Sequence, residues 1–215
     1  MKKSILLDLD GTLIDPYSGI SRCILYALDE MRIPRPSADD LRNWIGPPLM
    51  TSFTSWFQDQ AIDADAGQAL LLYRERFSTK GLFENQLYPG ISGLLRELVT
   101  AGNRVFLATS KPAVYAKQIL GHFRLEKYFS GVYGSELDGR YTDKRDLLTM
   151  ILQQQDLLAQ DCVMVGDRHH DIDAAGAHGM TSYGVLWGYG SRAELEGAGA
   201  DRIIESVAEL ASALA

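Results

Sequence analysis

The chain has 215 residues, 46% hydrophobic and 23% charged, with a formal net charge of −7. This composition is typical of a globular protein and gives enough chain for one well-packed domain, or for a domain with a smaller insert. The acidic balance argues against nucleic acid or an anionic membrane as the main partner. With two distant cysteines and no signal-peptide or membrane-spanning pattern, we expect no disulfide framework and a cytoplasmic location.

The first element along the chain is an apolar strand that ends in two carboxylates. Residues 4–7 are followed by Asp8, and Asp10 comes two residues later, just before Gly11 and Thr12. Side chains alternate along a strand, so both carboxylates would point the same way if the strand continued. Such a pair is costly without a cation between its members, and hard carboxylate oxygens suit Mg²⁺. A strand that ends in an Asp-capped turn would explain only one carboxylate and the glycine.

The next segment, residues 16–87, has helical periodicity and no clear strand. Apolar residues recur at helical spacing, for example Ile20 and Ile24, and prolines near residue 47 break the pattern. We therefore predict a helical cap domain at 16–87, inserted into a core domain formed by 1–15 and 88–215. An insert at this position would lie over a site at the end of the first strand as a lid.

The rest of the chain alternates between short apolar runs and helical periods. Strands are predicted at 104–108, 131–134, 162–165, 181–186 and 203–204, and helices at 113–120, 143–155, 171–178 and the C-terminus. Alternation of this kind indicates βαβ units and a parallel sheet covered on both faces. Functional sites in such sheets lie beyond the carboxyl ends of the strands.

Further polar residues follow two of these predicted strands. Thr109 and Ser110 come after the strand at 104–108, and Asp167 and Asp171 come after the strand at 162–165. Carboxyl ends of parallel strands share one edge of the sheet, so these residues should gather near the two carboxylates of the first strand. The four histidines do not have the spacing of a zinc site, and we predict none as a ligand.

Four motifs in this order resemble those of the haloacid dehalogenase superfamily of phosphohydrolases. They are the Asp-Leu-Asp-Gly-Thr run that begins at Asp8, Thr109 after a strand, Lys144, and the acidic Gly-Asp-Arg-His-His-Asp run that ends at Asp171. The resemblance covers essentially the whole chain. It implies a Rossmann-like α/β core with a parallel sheet and an inserted α-helical cap of the C1 type.

The resemblance also implies a role for each catalytic residue. Asp8 would attack phosphorus to form an aspartyl-phosphate, and Asp10 would act as general acid and then as general base. Mg²⁺ would be held by the Asp8 carboxylate, the Asp167 carboxylate and the main-chain carbonyl of Asp10. Asp171 would not bind the ion directly but would contact its ligands or act through a water molecule.

The remaining site residues would bind and neutralise the phosphate. Thr109 would donate a hydrogen bond to it, and Lys144 would balance its charge, with Arg145 as the alternative cation because the proline that often follows the family lysine is absent. Further phosphate-binding candidates are Gly11, Thr12, Ser110 and Lys111. The roles of Arg168 and His170 stay open.

The sequence defines the type of reaction better than it defines the substrate. Finer resemblance is to a bacterial branch of phosphoglycolate phosphatases and 5′-nucleotidase-like proteins, so we expect a small phosphomonoester, with a nucleoside 5′-monophosphate ahead of phosphoglycolate. A base would need an aromatic platform, and phosphoglycolate a second cation. Aromatic candidates are Tyr17, Trp44, Phe53, Trp56 and Phe57, although each could instead pack the cap. Cation candidates are Arg22, Arg42 and Lys111.

Other classes are weaker predictions. A haloacid dehalogenase would need neither Asp10 nor a metal, and a non-catalytic module would have no need of Asp8, Asp10 and Asp167 together. A sugar phosphomutase shares the first motif and is a less favoured alternative. The chain could act as a monomer or a homodimer.

Overall fold

The structure is a computed structural model and describes residues 3–215. It divides into two compact units, which we describe separately: one consists of the chain up to Asp15 together with Leu87–Ala215, and the other of Pro16–Gln86. None of the helices in residues 3–215 is long and apolar enough to cross a lipid bilayer.

The first unit is built on a six-stranded parallel sheet. Its strands are β1 (Ser4–Leu7), β4 (Arg104–Pro112), β5 (Gly131–Ser135), β6 (Cys162–Gly166), β7 (Thr181–Val185) and β8 (Arg202–Ile204). Their order is β5-β4-β1-β6-β7-β8, and every pairing is parallel. Two short strands, β2 (Ile14–Asp15) and β3 (Gln86–Leu87), form a separate pair. The predicted parallel α/β fold is confirmed.

Helices cover this sheet. They are α5 (Ile91–Thr100), α6 (Ala113–His122), α7 (Lys144–Gln154), α8 (His169–Ala177), α9 (Arg192–Gly197) and α10 (Val207–Leu214). One core cluster packs Leu6, Phe106 and Met164 of the central strands against Leu147 and Ile151 of α7. Continuous apolar strands are needed here because helices bury the sheet.

One helix boundary differs from the prediction. Helix α8 begins at His169 rather than at Asp171, because the Asp171 carboxylate lies in the first turn and accepts the backbone N–H of Arg168 at 3.2 Å. Acidic side chains stabilise a helix in its first turn. The helices predicted from the sequence do not include α5 or the six-residue α9.

The second unit is helical. It contains α1 (Tyr17–Glu30), α2 (Ala38–Asn43), α3 (Leu49–Asp59) and α4 (Ala66–Thr79). Ser37 caps α2 by accepting the N–H of Asp40 at 3.1 Å, and Pro48 precedes α3. Aromatic rings in edge-on and tilted contact fill part of its core: Trp44, Phe53, Trp56 and Phe57.

Candidate active site

Three buried carboxylates meet at the carboxyl ends of the two central strands. Asp8 follows β1 and donates its backbone N–H to the carbonyl of Val165 at 3.0 Å, so its position is set by pairing with β6. Asp167 follows β6 directly, and Asp171 lies in the first turn of α8. One carboxylate oxygen from each of these three aspartates lies within 4.8 Å of the others.

Lys144 is the cation that the structure places among these carboxylates. It is the first residue of α7, and its Nζ lies 2.9 Å from Asp8 Oδ1 and also contacts the Asp171 carboxylate. Burial alone would lower the pKa of Lys144, but the negative charges of Asp171 and Asp8 outweigh it, and the net pKa is raised. Arg145 instead pairs with Asp143 at 2.7 Å and is largely exposed.

The cluster holds more negative than positive charge, and this imbalance fits a divalent cation. Burial raises the pKa of Asp167 well above its usual range, with repulsion from Asp171 and Asp8 adding to the effect. Burial also raises the pKa of Asp171 to about 6, although Lys144 opposes it. Clustered carboxylate oxygens are the donors that Mg²⁺ prefers, so these residues fit the ion that the sequence predicts.

Asp10 occupies a different environment from Asp8. Its Oδ2 lies 2.7 Å from the Lys111 Nζ, and its Oδ1 is buried with no hydrogen-bond partner among residues 3–215. Burial raises the pKa of the Asp10 carboxyl, although the charge of Lys111 partly opposes it. Lys111, expected on the phosphate, therefore forms an ion pair with the carboxylate two residues from Asp8.

Gly11 allows the chain to turn immediately beside the carboxylates. Its φ is +79°, and a Cβ built on it would overlap the carboxylate of Asp167. A side chain at this position would therefore be strained by its backbone and would displace Asp167.

The hydroxyl groups predicted to bind phosphate differ in their hydrogen-bond partners. Thr109 is buried, and its Oγ1 accepts the N–H of Lys111 at 3.2 Å, whereas the Ser110 hydroxyl donates to the carbonyl of Thr142 at 3.3 Å. Thr12 is fully buried, and its hydroxyl oxygen has no hydrogen-bond partner within the described range 3–215. The Ser110 hydroxyl is thus already engaged, and the Ser110 carbonyl accepts a hydrogen bond from the Ser135 hydroxyl at 2.7 Å.

Glu194, which was not predicted as a site residue from the sequence, holds the start of α8. It accepts a hydrogen bond from Arg168 Nε at 2.8 Å and another from the backbone N–H of His169 at 3.0 Å. Burial would raise the pKa of Glu194, but these donors outweigh it and lower the pKa to about 2. Arg168 therefore contacts α9, while His170 is exposed at the helix start. No local signal in the sequence links positions this far apart.

In the helical unit, most of the residues predicted to contact the substrate pack against or pair with other residues of the unit. The four aromatic residues Trp44, Phe53, Trp56 and Phe57 are buried in its core. Tyr17 is partly exposed, with the guanidinium of Arg42 4.9 Å from its ring centroid, and Arg22 pairs with Glu84 at 3.0 Å.

Comparison with known proteins identifies the family. The family model described as haloacid dehalogenase-like hydrolase matches residues 5–185. The chain belongs to this family. It is a phosphatase of that family, in agreement with the names of several relatives.

The relatives differ in name and in extent. A 5′-nucleotidase of Pseudomonas aeruginosa is 43% identical over 192 residues, which are 89% of this chain and 86% of that protein. A phosphoglycolate phosphatase of Vibrio parahaemolyticus is 27% identical over 219 residues, covering 99% of this chain and 96% of that one. The tyrosine-protein kinase PtkA of Mycobacterium tuberculosis is 39% identical over 186 residues, 86% of this chain but 62% of PtkA.

The same fold is found among solved structures. The crystal structure of a predicted phosphatase from Clostridium acetobutylicum superposes with a TM-score of 0.92 at 38% identity, covering 100% of this chain and 99% of that one.

Proposed function

We propose that this phosphatase is a Mg²⁺-dependent phosphomonoester hydrolase that acts through an aspartyl-phosphate on Asp8, and that its substrates are nucleoside 5′-monophosphates. One observation carries the chemistry: Asp8 lies in a buried carboxylate cluster with Lys144, and a second buried carboxyl, Asp10, follows two residues later. A nucleophile, a cation and a proton donor are the groups that phosphoryl transfer requires.

In the first half-reaction, a carboxylate oxygen of Asp8 attacks phosphorus while the bond from phosphorus to the leaving oxygen breaks. Asp10 gives its proton to that oxygen, which leaves as an alcohol. The raised pKa of Asp10, which results from burial, supports this role because a general acid must hold its proton near neutral pH. Lys144 balances negative charge beside Asp8.

In the second half-reaction, water attacks the phosphorus of the aspartyl-phosphate. Asp10, now a carboxylate, takes the proton of the water, and the bond from phosphorus to Asp8 breaks to give inorganic phosphate. Lys111 at 2.7 Å stabilises Asp10 in its charged form between the two steps. Asp8, Asp167 and Asp171 would hold Mg²⁺, with the Asp10 carbonyl, and the ion would offset repulsion between the nucleophile and the phosphate.

The proposed substrate class is supported by the similarity to the 5′-nucleotidase at 43% identity. Of the five aromatic candidates, Tyr17 is the one that is not packed into the core of the helical unit, and its ring carries the Arg42 guanidinium. A nucleobase needs an aromatic ring on which to stack, and the partial exposure of Tyr17 suits this role. In this proposal the helical unit is the cap that supplies this surface, and the enzyme works in the cytoplasm.

Phosphoglycolate is the second candidate. The relative of that name supports it, at 27% identity. However, the cations considered for its carboxylate all have partners: Arg22 contacts Glu84, Arg42 stacks on Tyr17 and Lys111 binds Asp10. A carboxylate would have to displace the carboxylate partner of Arg22 or of Lys111, and the 5′-nucleotidase is the more similar of the two relatives, so we place nucleotides first.

The test is phosphate release from nucleoside 5′-monophosphates, phosphoglycolate and sugar phosphates, with and without Mg²⁺. We expect nucleotides to have the highest kcat/KM, and the activity to require Mg²⁺ and Asp8. A preference for phosphoglycolate would reverse the order of the two candidates. Failure of the folded, Mg²⁺-loaded wild type to hydrolyse any ester would overturn the proposal. Because one relative is named a kinase, ATP with a tyrosine-containing peptide forms a further arm.

A further inference from the structure

We infer that Tyr189 is a positioning residue that links the metal-binding carboxylate Asp167 to Asp15, the last residue of the core before the helical insert. This inference rests on the proposed function. It concerns the loop at residues 187–190, which follows β7 and which neither the motifs nor the proposed mechanism uses.

The first half of the link is at the carboxylate cluster. The backbone N–H of Tyr189 donates to Asp167 Oδ2 at 2.7 Å. The glycines on either side are pressed against the same residue, since a Cβ at Gly188 would overlap the Asp167 side chain and a Cβ at Gly190 would overlap its carbonyl oxygen. The loop is therefore packed directly around Asp167, and neither can shift far without the other.

The second half of the link is at Asp15, where the chain leaves the core for the helical insert. The Tyr189 hydroxyl donates to Asp15 Oδ1. In the same loop, Trp187 Nε1 donates to the carbonyl of Thr12 at 3.0 Å. Both donors thus hold the segment between Asp10 and the end of β2. Burial raises the pKa of Tyr189, and its hydrogen bond to Asp15 raises it further, so the hydroxyl keeps its proton as donor.

The connection by which the chain returns from the helical insert to the core contacts the same segment. The backbone N–H of Tyr88, which follows β3, donates to the carbonyl of Leu13 at 3.1 Å. The chain leaves the core after Asp15 and returns to it at Leu87. A loop fixed to Asp167 therefore also holds the segment on which both connections depend.

This arrangement couples cation binding at Asp167 to the mobility of the chain at Asp15. A cation bound by Asp167 would restrict that carboxylate, and the restriction would reach Asp15 through Tyr189. By reciprocity, fixing Asp15 would favour the arrangement of Asp167 that binds the cation. Metal loading and the mobility of the linker would thus be linked through this loop, with the Tyr189 hydroxyl making the contact with Asp15.

The test is amide hydrogen exchange with and without Mg²⁺, in wild type and in Tyr189→Phe. This variant removes the hydroxyl but keeps the ring and the backbone N–H on Asp167. In wild type we expect Mg²⁺ to slow exchange at residues 12–17 by about fivefold, the size of one hydrogen bond. In the variant this effect should be lost around Asp15 but persist at Thr12, which Trp187 still holds, while Mg²⁺-dependent protection at residues 165–171 remains.

Tyr133→Phe is the matched control. The Tyr133 hydroxyl accepts a hydrogen bond from Gln155 Nε2 at 2.6 Å on the edge strand β5, away from the linker. It should leave the Mg²⁺ response of residues 12–17 unchanged. Asp15→Ala removes the same bond from the other side, so it also provides the test if Tyr189→Phe does not fold.

Kinetics give an independent readout. Tyr189→Phe and Asp15→Ala should each lower kcat/KM by about fivefold, and the double variant should lose no more than either single variant, because both remove one shared interaction. Mg²⁺ affinity, measured by calorimetry, should fall by up to the same factor, because the coupling is reciprocal.

The possible failures are distinct. If wild type binds Mg²⁺ and releases phosphate but the variants respond as Tyr133→Phe does, the proposed function stands and the link through Tyr189 is wrong. Additive losses in the double variant would also overturn the link. If wild type neither binds Mg²⁺ nor releases phosphate, the proposed function and the link fail together.

Discussion

Two clusters of charged residues, one in each unit, follow opposite rules. In the core, Asp8 and Asp171 share Lys144, and Asp167 lies beside them. The side chains of Lys144, Asp8 and Asp171 are 4%, 11% and 2% exposed. In the helical unit, Glu84 is held by Arg76 at 2.7 Å and by Arg22 at 3.0 Å.

The difference lies in charge balance and in solvent access. The core cluster buries an excess of negative charge, which costs stability unless a cation compensates for it. The Glu84 cluster is partly open to water, and its carboxylate has more cationic partners than it needs, so it should stabilise the unit modestly. Buried excess negative charge therefore marks the region kept for chemistry, and a partly exposed carboxylate whose charge is fully compensated marks the region kept for stability.

The largest expected effect comes from breaking the core cluster at its nucleophile. Asp8→Asn keeps the shape of the side chain but removes the charge that attacks phosphorus, so we expect kcat to fall by about 10⁴-fold or more. Circular dichroism should show an unchanged fold. Asp59→Asn, the same change on an exposed residue of α3, is the control and should leave kcat unchanged. Substantial turnover by the Asp8 variant would rule out the covalent route.

A second change separates metal binding from stability. Because folding raises the pKa of Asp167, the folded state favours its neutral form, and Asp167→Asn should not lower the metal-free Tm at neutral pH. Mg²⁺ at 100 times its Kd should stabilise wild type by about 2.7 kcal/mol, and the variant should lose most of this gain. Thermal scans with and without Mg²⁺ measure both. A lower metal-free Tm with an intact Mg²⁺ response would contradict the charge argument.

A third prediction compares substitutions at two glycines of the core unit, Gly11 and Gly176. Gly11→Ala places a side chain at φ +79° and against Asp167, so it should cost about 1–2 kcal/mol from the backbone alone and weaken Mg²⁺ binding. Gly176→Ala in α8 meets nothing within 4 Å and should gain about 0.5–1 kcal/mol from helix propensity. Urea denaturation measures both changes. Equal effects of the two substitutions would show that the turn at Gly11 is not constrained.

The parts of the molecule that could be predicted from sequence are those set by local patterns. The parallel α/β fold follows from apolar runs with polar residues at their ends, and Asp8 and Asp167 were identified because each directly follows such a run. The pairing of Lys111 with Asp10 and of Tyr189 with Asp15 could not be predicted, since each joins residues distant along the chain. Helical spacing also cannot distinguish an aromatic ring that contacts a ligand from one that packs a core.

The smallest expected effect is at Glu84, and it tests the other side of the comparison. The hydrogen bonds from Arg76 lower the pKa of Glu84 below its usual range. A carboxyl whose pKa is lowered by folding contributes stability above its unfolded pKa of about 4.3, and this contribution is lost as the pH falls through the folded pKa. Glu84→Gln should therefore reduce the free energy of unfolding by about 1–2 kcal/mol at pH 7, the size of a charge-assisted hydrogen bond. The difference from wild type should shrink towards pH 3. Glu75→Gln on α4, whose carboxylate accepts a hydrogen bond from the Tyr26 hydroxyl at 3.2 Å, is the control for replacing an exposed glutamate. A pH-independent difference at Glu84 would mean that packing, and not charge, makes this cluster stabilising.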